Sequence, residues 1–329
     1  MSRILQYRRF GDPVSVIEPI EREEEGPAAG EVLIAVEATP LTFNDLYCMR
    51  GKPGFQRPLP AVPGGRGVGR VIAVGPSVAG ISDGQRVFLP RAGGTWRDVM
   101  RAKADGLQVA PDGGDVLQLA LVNSNVVTAF ALLNFAAPLR RGDWAIQNGA
   151  GSSCGQYIVA LANRMGLNLV NVVRRESSAE RVRAVGGSRI LVDDDSLAER
   201  VAELTRGAPI PVAFDMVGGP STGRLAACLT DRGRIACYGN ASGQPASVPV
   251  DLLLFRHLTV FGFLTEDQMQ QAGVDAERLA AIYRDLSSLV VDGVLRSEVA
   301  GVYSFDEVRD AVRHQDRDRG GKIILVPHR

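Results

Sequence analysis

Hydrophobic and polar residues follow two rhythms along this chain. In the first third, apolar residues come in short alternating runs broken by glycine and proline: "EVLIAVEATPLT", "GRVIAVGPSVAG" and "QRVFLP". Such runs between turn residues predict strands, and their spacing predicts a twisted antiparallel barrel or sheet. In the middle, continuous apolar runs ("WAIQN", "LNLVNVV", "RILV", "PVAFDMV", "RIACYG") alternate with helical stretches. That alternation predicts a parallel sheet covered by helices on both faces. From about Asp267 the pattern reads helix, then "SEVAGVYSF", a short helix and the strand "GKIILVP". This tail is expected to return to the first domain. The organisation expected is 1–121, 122–264 and 265–329.

A length of 329 residues agrees with about two domains. Lys+Arg and Asp+Glu are 37 each, so the formal net charge is zero, and only 6% of residues are aromatic. Neither an electrostatic footprint for nucleic acid nor a base-stacking surface is expected. "MSRILQYRRFGDP" lacks the apolar core of a signal peptide. Val116 to Leu139 has no Lys, Arg, Asp or Glu, but it carries Asn123, Ser124, Asn125, Thr128 and Asn134. That much amide is costly in lipid, so the stretch reads as a buried helix and no membrane partner is expected. The four cysteines, Cys48, Cys154, Cys228 and Cys237, include no CxxC pair and read as reduced thiols of a cytoplasmic protein.

The candidate chemistry begins at "QNGAGSSCGQYIVALANRMGLNLVNVVRR". Gly149, Gly151 and Gly155 follow a strand (Trp144 to Gln147) and open a helix (Ser153 to Met165), and a second strand (Leu167 to Val173) comes next. A glycine triplet alone is weak evidence, but in a βαβ setting it predicts a dinucleotide site. The glycines admit a pyrophosphate close to the backbone, and the helix start, with Ser153 and Cys154, favours its charge. An NAD site places Asp or Glu near the end of the second strand. Here that strand ends in Arg174 and Arg175, whose guanidinium groups suit a 2′-phosphate. The expected cofactor is therefore NADPH. Glu176 follows directly and offsets part of the charge if it pairs with them.

With "NDLYCMRG", "PGGRGVGRVIAVG", "GTW", "NVVTAF", "QNGAGSSCGQ", "NVVRR", "AFDMVGG" and "YGNASG" in this order, the chain resembles the medium-chain dehydrogenase/reductase superfamily over nearly its whole length. The resemblance is to its zinc-free branch of quinone oxidoreductases and 2-enoyl thioester reductases. It implies an α/β fold, with a GroES-like β-barrel catalytic domain plus a Rossmann doubly wound parallel sheet. Zinc members carry Cys where this chain has Thr42, and Gly-His-Glu where it has Gly64-Gly65-Arg66. No structural-zinc cysteine cluster lies between Gly80 and Ala120, and no metal site is expected.

The resemblance also implies roles for single residues. The enoyl reductases place a tyrosine after a "Q-G" turn. Here the turn is "RGKPG" and Pro53 takes that place, with neither a hydroxyl nor a backbone N–H to offer. Tyr47 is the candidate substitute, with a half-buried packing residue as the alternative. Trp96 is expected to wall the pocket or to belong to the core. Asn125 and Thr128 are placed at the nicotinamide end. Gly218, Gly219, Tyr238 and Gly239 sit at strand ends, where open α/β sheets bind ligands. Phe263 and Leu264 match the segment that holds the carboxamide, Lys322 matches a basic residue near the cofactor, and Cys154 fills space within the glycine loop. Arg66 is expected to pair with Asp45, with a contact to an anionic substrate group as the alternative. The activity implied is NADPH-dependent reduction of an activated C=C bond, most closely a 2-enoyl thioester. A quinone reductase and a silent NADPH-binding protein are the alternatives, and a homodimer through "LTVFGF" is expected.

Overall fold

The computed structural model describes residues 1–91, 93–317 and 320–328. The chain forms two compact units, Met1–Ser124 with Ala276–Arg329, and Asn125–Asp275. From Ala276 onward the chain belongs with the first unit. The helix Thr265–Gln271 goes with the second unit, where Thr265 Oγ1 donates to Thr128 Oγ1 at 3.1 Å.

In the first unit the eleven-residue strand Glu31–Leu41 is central. It pairs antiparallel with Val68–Val74, Val99–Lys103 and Lys322–Val326, and Val299–Ser304 extends the sheet parallel to the last of these. Register shifts at Leu33/Ile34 and Val36/Ala38 mark two irregularities in the pairing with Val68–Val74. Irregularities of this kind bend a strand, and the two ends serve different cores. Val32, Ile34 and Val36 pack with Val71, Val87, Leu89 and Met100. Leu41 packs with Leu5, Tyr7, Leu46, Met49, Trp96 and Phe305. Each such fully buried apolar side chain contributes about 1.5–3 kcal/mol.

In the second unit six parallel strands lie in the order Thr259–Gly262, Arg234–Cys237, Val212–Asp215, Trp144–Gln147, Asn168–Val173, Ile190–Val192. Counted along the chain from the far edge, this is the 3-2-1-4-5-6 order of a doubly wound dinucleotide-binding sheet, with the reversal beside Trp144–Gln147. The central strands are buried nearly throughout, as their continuous apolar runs require. Val116–Phe135 is long and apolar enough to cross a membrane by length and composition, and 67% of its most apolar window is buried inside the protein. Its Asn123 is satisfied within the first unit: it accepts from the Gly67 N–H at 3.1 Å and donates to the Leu89 carbonyl at 2.9 Å.

Candidate cofactor site and active-site residues

The glycine loop of the second unit has a separate physical demand at each glycine. Gly149 has φ +61°, a region that costs any side chain strain, and a Cβ there would lie 2.6 Å from Met216 Cε. A Cβ on Gly151 would lie 3.2 Å from Ser178 Cβ, so the turn that follows the second strand lies directly against the loop. A Cβ on Gly155 would fall 2.6 Å from the Ala150 carbonyl oxygen and 2.7 Å from that of Gly149, atoms that move only if the loop moves. Ser152 caps the helix Ser153–Met165 by accepting from the Gly155 N–H at 3.1 Å, and Gly166 ends it in the left-handed region. The remaining N–H groups of the first turn have no partner within the helix, which is the arrangement that suits an anion. Cys154 is buried, and its thiol donates to the Asn125 carbonyl at 3.6 Å.

Arg174 and Arg175 are exposed at the end of Asn168–Val173. Neither forms an ion pair among the described residues. Glu176 turns instead to Arg183, at 3.2 Å. The two guanidinium groups are therefore left to solvent.

Beneath the loop lies a polar network that the sequence reading missed. Asn148 Nδ2 donates to Asp215 Oδ1 at 2.6 Å and to Ser221 Oγ at 3.0 Å, while its Oδ1 accepts from the Met216 N–H at 2.7 Å. Asp215, fully buried, also accepts from the Val217 and Gly218 N–H groups at 3.0 and 2.9 Å and from Thr222 Oγ1 at 2.6 Å. Ser221 Oγ donates to Asp193, which also pairs with Arg224 at 2.6 Å. The network locks the turn holding Gly218 and Gly219, at φ +72° and +61°, to the ends of three strands. The signal in the sequence was a lone Asp and a lone Asn closing apolar strands. Their pairing spans 67 residues, and no local pattern announces it.

At the next strand end, Tyr238 donates its backbone N–H to the Asp215 carbonyl, and a Cβ on Gly239 would meet the Met216 carbonyl oxygen at 2.8 Å. The Tyr238 hydroxyl is held well above its usual pKa by burial, then by the neighbouring Cys154 and Asp215. It stays protonated. Phe263 is buried and prolongs the edge pairing through its N–H to the Cys237 carbonyl, while Leu264 is 55% exposed. Cys154, Tyr238, Asn125, Thr128 and the glycine loop thus belong to one unit, whose sheet brings the strand-end residues together.

The first unit carries the other candidates. Tyr47 sits on the helix Phe43–Met49, half-buried, with its ring 5.3 Å edge-on from Phe55 and 6.2 Å from Phe43. Its hydroxyl has no hydrogen bond among the described residues. The helix is fixed by a capping box: Thr42 N–H and Oγ1 both donate to Asp45 Oδ2, at 2.8 and 2.7 Å. Asp45 Oδ1 accepts from the Gly64 N–H at 2.9 Å. Burial raises the pKa of this carboxyl, against the Thr42 and Gly64 hydrogen bonds and the nearby Arg57 charge. The expected Arg66–Asp45 pair does not form, because Thr42 and Gly64 already occupy the carboxylate oxygens and Arg57 supplies the local cation.

Trp96, expected to wall the pocket or to belong to the core, is fully buried in the core of the first unit. It packs so closely that a Cβ on Gly64 would lie 2.5 Å from its ring. Pro53 is exposed in the turn whose Lys52 N–H donates to the Tyr47 carbonyl. Lys322 opens the closing strand of the first unit, donating its N–H to the Glu298 carbonyl at 2.8 Å.

Comparison with known proteins places this architecture. The family "Alcohol dehydrogenase GroES-like domain" matches residues 28–123, and "Zinc-binding dehydrogenase" matches residues 154–278. The mitochondrial enoyl-[acyl-carrier-protein] reductase of Xenopus tropicalis is 33% identical over 301 residues, which cover 89% of this chain and 86% of the relative. The chain belongs to the medium-chain dehydrogenase/reductase superfamily, in its zinc-free branch. The Homo sapiens protein of the same name is 31% identical over 79% of this chain and 72% of its own length. Among solved structures, Escherichia coli quinone oxidoreductase complexed with NADPH superposes with a TM-score of 0.87 at 24% identity, covering 99% and 100% of the two chains. A mutant enoyl thioester reductase from Candida tropicalis gives 0.84 at 22%, covering 99% of each. These two likenesses establish the shared fold.

The zinc of the second family's name finds no donors here. Thr42 is used in a helix cap, Gly65 and Arg66 offer no ligand side chain, and no His, Cys, Asp or Glu cluster among the described residues is placed to hold a metal ion.

Proposed function

We propose that this protein is an NADPH-dependent, zinc-independent oxidoreductase that delivers hydride to the β-carbon of a 2-enoyl thioester. The observation that carries the reading is the pairing of a glycine loop that excludes any side chain with two exposed, unpaired arginines at the end of the adjoining strand. The names of the curated relatives, enoyl-[acyl-carrier-protein] reductases, supply the acceptor. The residues fit the cofactor: Gly149 and Gly155 let the loop close on Met216 and on its own carbonyls at the start of a helix, and Arg174 and Arg175 suit its 2′-phosphate.

When bound, NADPH supplies the hydride. In this reading Gly149, Gly151, Ser153, Cys154 and Gly155 form the pyrophosphate cradle. Gly218, Tyr238 and Gly239 shape its rim, Phe263 and Leu264 hold the carboxamide, and Asn125 and Thr128 orient the nicotinamide end. As the β-carbon accepts hydride, negative charge collects on the thioester oxygen and the α-carbon must take up a proton. Tyr47, with its unengaged hydroxyl, is the donor to that oxygen in place of the tyrosine lost at Pro53. Lys322 is assigned to the cofactor from the family resemblance alone.

NADPH oxidation with crotonyl thioester, beside a simple quinone, tests the reading. Turnover of the thioester is expected, and Tyr47→Phe should lower kcat without changing NADPH affinity. Turnover of the quinone alone would move the protein to the quinone branch, a reading favoured by the aromatic cluster of Phe43, Tyr47 and Phe55. NADPH binding with silence on both acceptors would support a non-catalytic binding protein. Unchanged turnover in Tyr47→Phe would remove Tyr47 from the mechanism.

The proposal extends to a homodimer without membrane or nucleic-acid partners, working in the cytoplasm. Support comes from the edge strand Thr259–Gly262, where Val260 is 37% exposed, and from Val250, Leu254 and Phe255 on the preceding helix, exposed at 65%, 60% and 78%. All four cysteines are free, as a reducing compartment allows. A monomeric mass in sedimentation velocity would refute the dimer.

A further inference from the structure

Two buried amides join the helix of the glycine loop to the strand that ends in the arginine pair. Gln147 closes the strand Trp144–Gln147, and Asn171 is its register partner on Asn168–Val173. They are 0% and 1% exposed. Gln147 Nε2 donates to the Gly155 carbonyl at 3.1 Å and to Asn171 Oδ1 at 2.8 Å. Asn171 Nδ2 donates in turn to the Ser188 and Leu169 carbonyls at 2.8 and 3.3 Å, and the Asn171 N–H to the Arg189 carbonyl at 2.9 Å. Both partners of Gln147 can only accept: Gly155 offers a carbonyl, and the Asn171 amide has its NH2 on two other carbonyls. The orientation of the Gln147 amide is therefore set by its neighbours. Its oxygen is buried and has no hydrogen-bond partner among the described residues.

A buried acceptor without a donor costs free energy, and an apolar side chain of similar shape avoids that cost. Packing alone would favour methionine at this position, so the amide is there for its two donors. One holds the first turn of the helix Ser153–Met165, which opens the pyrophosphate cradle. The other holds the second strand, three residues before Arg174. The loop touches that strand and its turn elsewhere too: the Ala150 N–H donates to the Val172 carbonyl at 3.2 Å, and Gly151 lies against Ser178. Those contacts hold the loop, whereas the amide pair reaches the helix itself. We infer that Gln147 and Asn171 are positioning residues for the choice of nucleotide. They set the spacing between the cradle and the two arginines, so that a nucleotide with a 2′-phosphate meets both at once. A second contact adds affinity only where its spacing to the first is preorganised. NADH uses the cradle alone and tolerates a change of spacing that NADPH does not. The inference rests on the NADPH reading above and names what registers its two phosphate sites.

The test measures Kd for NADPH and for NADH in the full chain, with no acceptor present, so it does not depend on turnover. The variants are Gln147→Met and Asn171→Ala, each also made in a background carrying Arg174→Ala and Arg175→Ala. The expected result is a fall of about fivefold or more in the preference for NADPH over NADH in each single variant. In Asn171→Ala, where the bond to Gly155 stays, NADH affinity should hold within about twofold. In the arginine-free background neither change should alter the remaining preference, because the contact that the spacing serves is gone. Equal weakening of both nucleotides would mean a merely structural role and would overturn the inference. An unchanged preference in both single variants, or a further loss of preference in the arginine-free background, would overturn it too. Thermal melting reports the fold, and if Gln147→Met does not fold, Asn171→Ala decides alone. A wild-type protein without preference for NADPH would overturn the cofactor reading, and this inference with it.

Discussion

Replacing Arg174 by Ala isolates the cofactor preference. The guanidinium is exposed and makes no ion pair among the described residues, so its removal breaks nothing inside the fold. The neighbouring Glu176 is held by Arg183 at 3.2 Å and does not compete for it. A hydrogen bond to a charged group contributes about 1.5–3 kcal/mol, and solvent screening at an exposed site reduces this to about 1–2 kcal/mol. The expected loss of NADPH affinity is therefore about 5–30-fold. NADH lacks the 2′-phosphate, so its affinity should change less than about twofold. Titration of both nucleotides by quenching of intrinsic fluorescence measures the difference, and thermal melting should show an unchanged fold. Equal weakening of the two, or none, would refute a 2′-phosphate contact at Arg174. A larger effect in Arg175→Ala would transfer the contact to its neighbour.

Two further outcomes follow from the packing. Gly155→Ala forces the loop to move, since its Cβ would meet the carbonyl oxygens of Ala150 and Gly149 at 2.6–2.7 Å. A loss of about 1–3 kcal/mol of stability and weakened NADPH binding are expected, both larger than for Gly151→Ala, whose Cβ meets only Ser178 at 3.2–3.3 Å. The reverse order in melting and titration would contradict this account. Tyr7 is fully buried, its hydroxyl has no hydrogen-bond partner among the described residues, and burial pushes its pKa up to about 12. The phenol keeps its proton in the fold beyond the ordinary value of 10.0. Its contribution to stability is therefore intact below pH 10 and lost as pH rises through about 12. Tyr7→Phe should reduce the alkaline decline, leaving the share of the buried Tyr238, and add about 1 kcal/mol at pH 7, because an unpaired buried hydroxyl is removed. A Phe variant less stable at pH 7, or one with the same alkaline decline in denaturant titrations, would show that the hydroxyl has a partner after all.

The parts legible in the chain were those with a short-range cause. Strand and helix types followed from the period of apolar residues, and the glycine loop from its setting between a strand and a helix. The arginine pair was visible because it ends the strand that loop requires. Each is specified within a few tens of residues by backbone sterics and burial. The rest was decided by register and packing between distant segments. Asn148 meets Asp215 only because the strands that carry them are neighbours in the sheet. Asp45 turned out to serve Thr42 and Gly64 rather than Arg66 because the capping geometry of its helix aims it there. Trp96 became core because the close approach of Gly64 leaves its ring no route to solvent. Phe10 lies on the turn after the Tyr47 helix because Gly51 admits its ring; the contact joins two segments distant in sequence, so tertiary packing decides it and no local pattern of the chain encodes it.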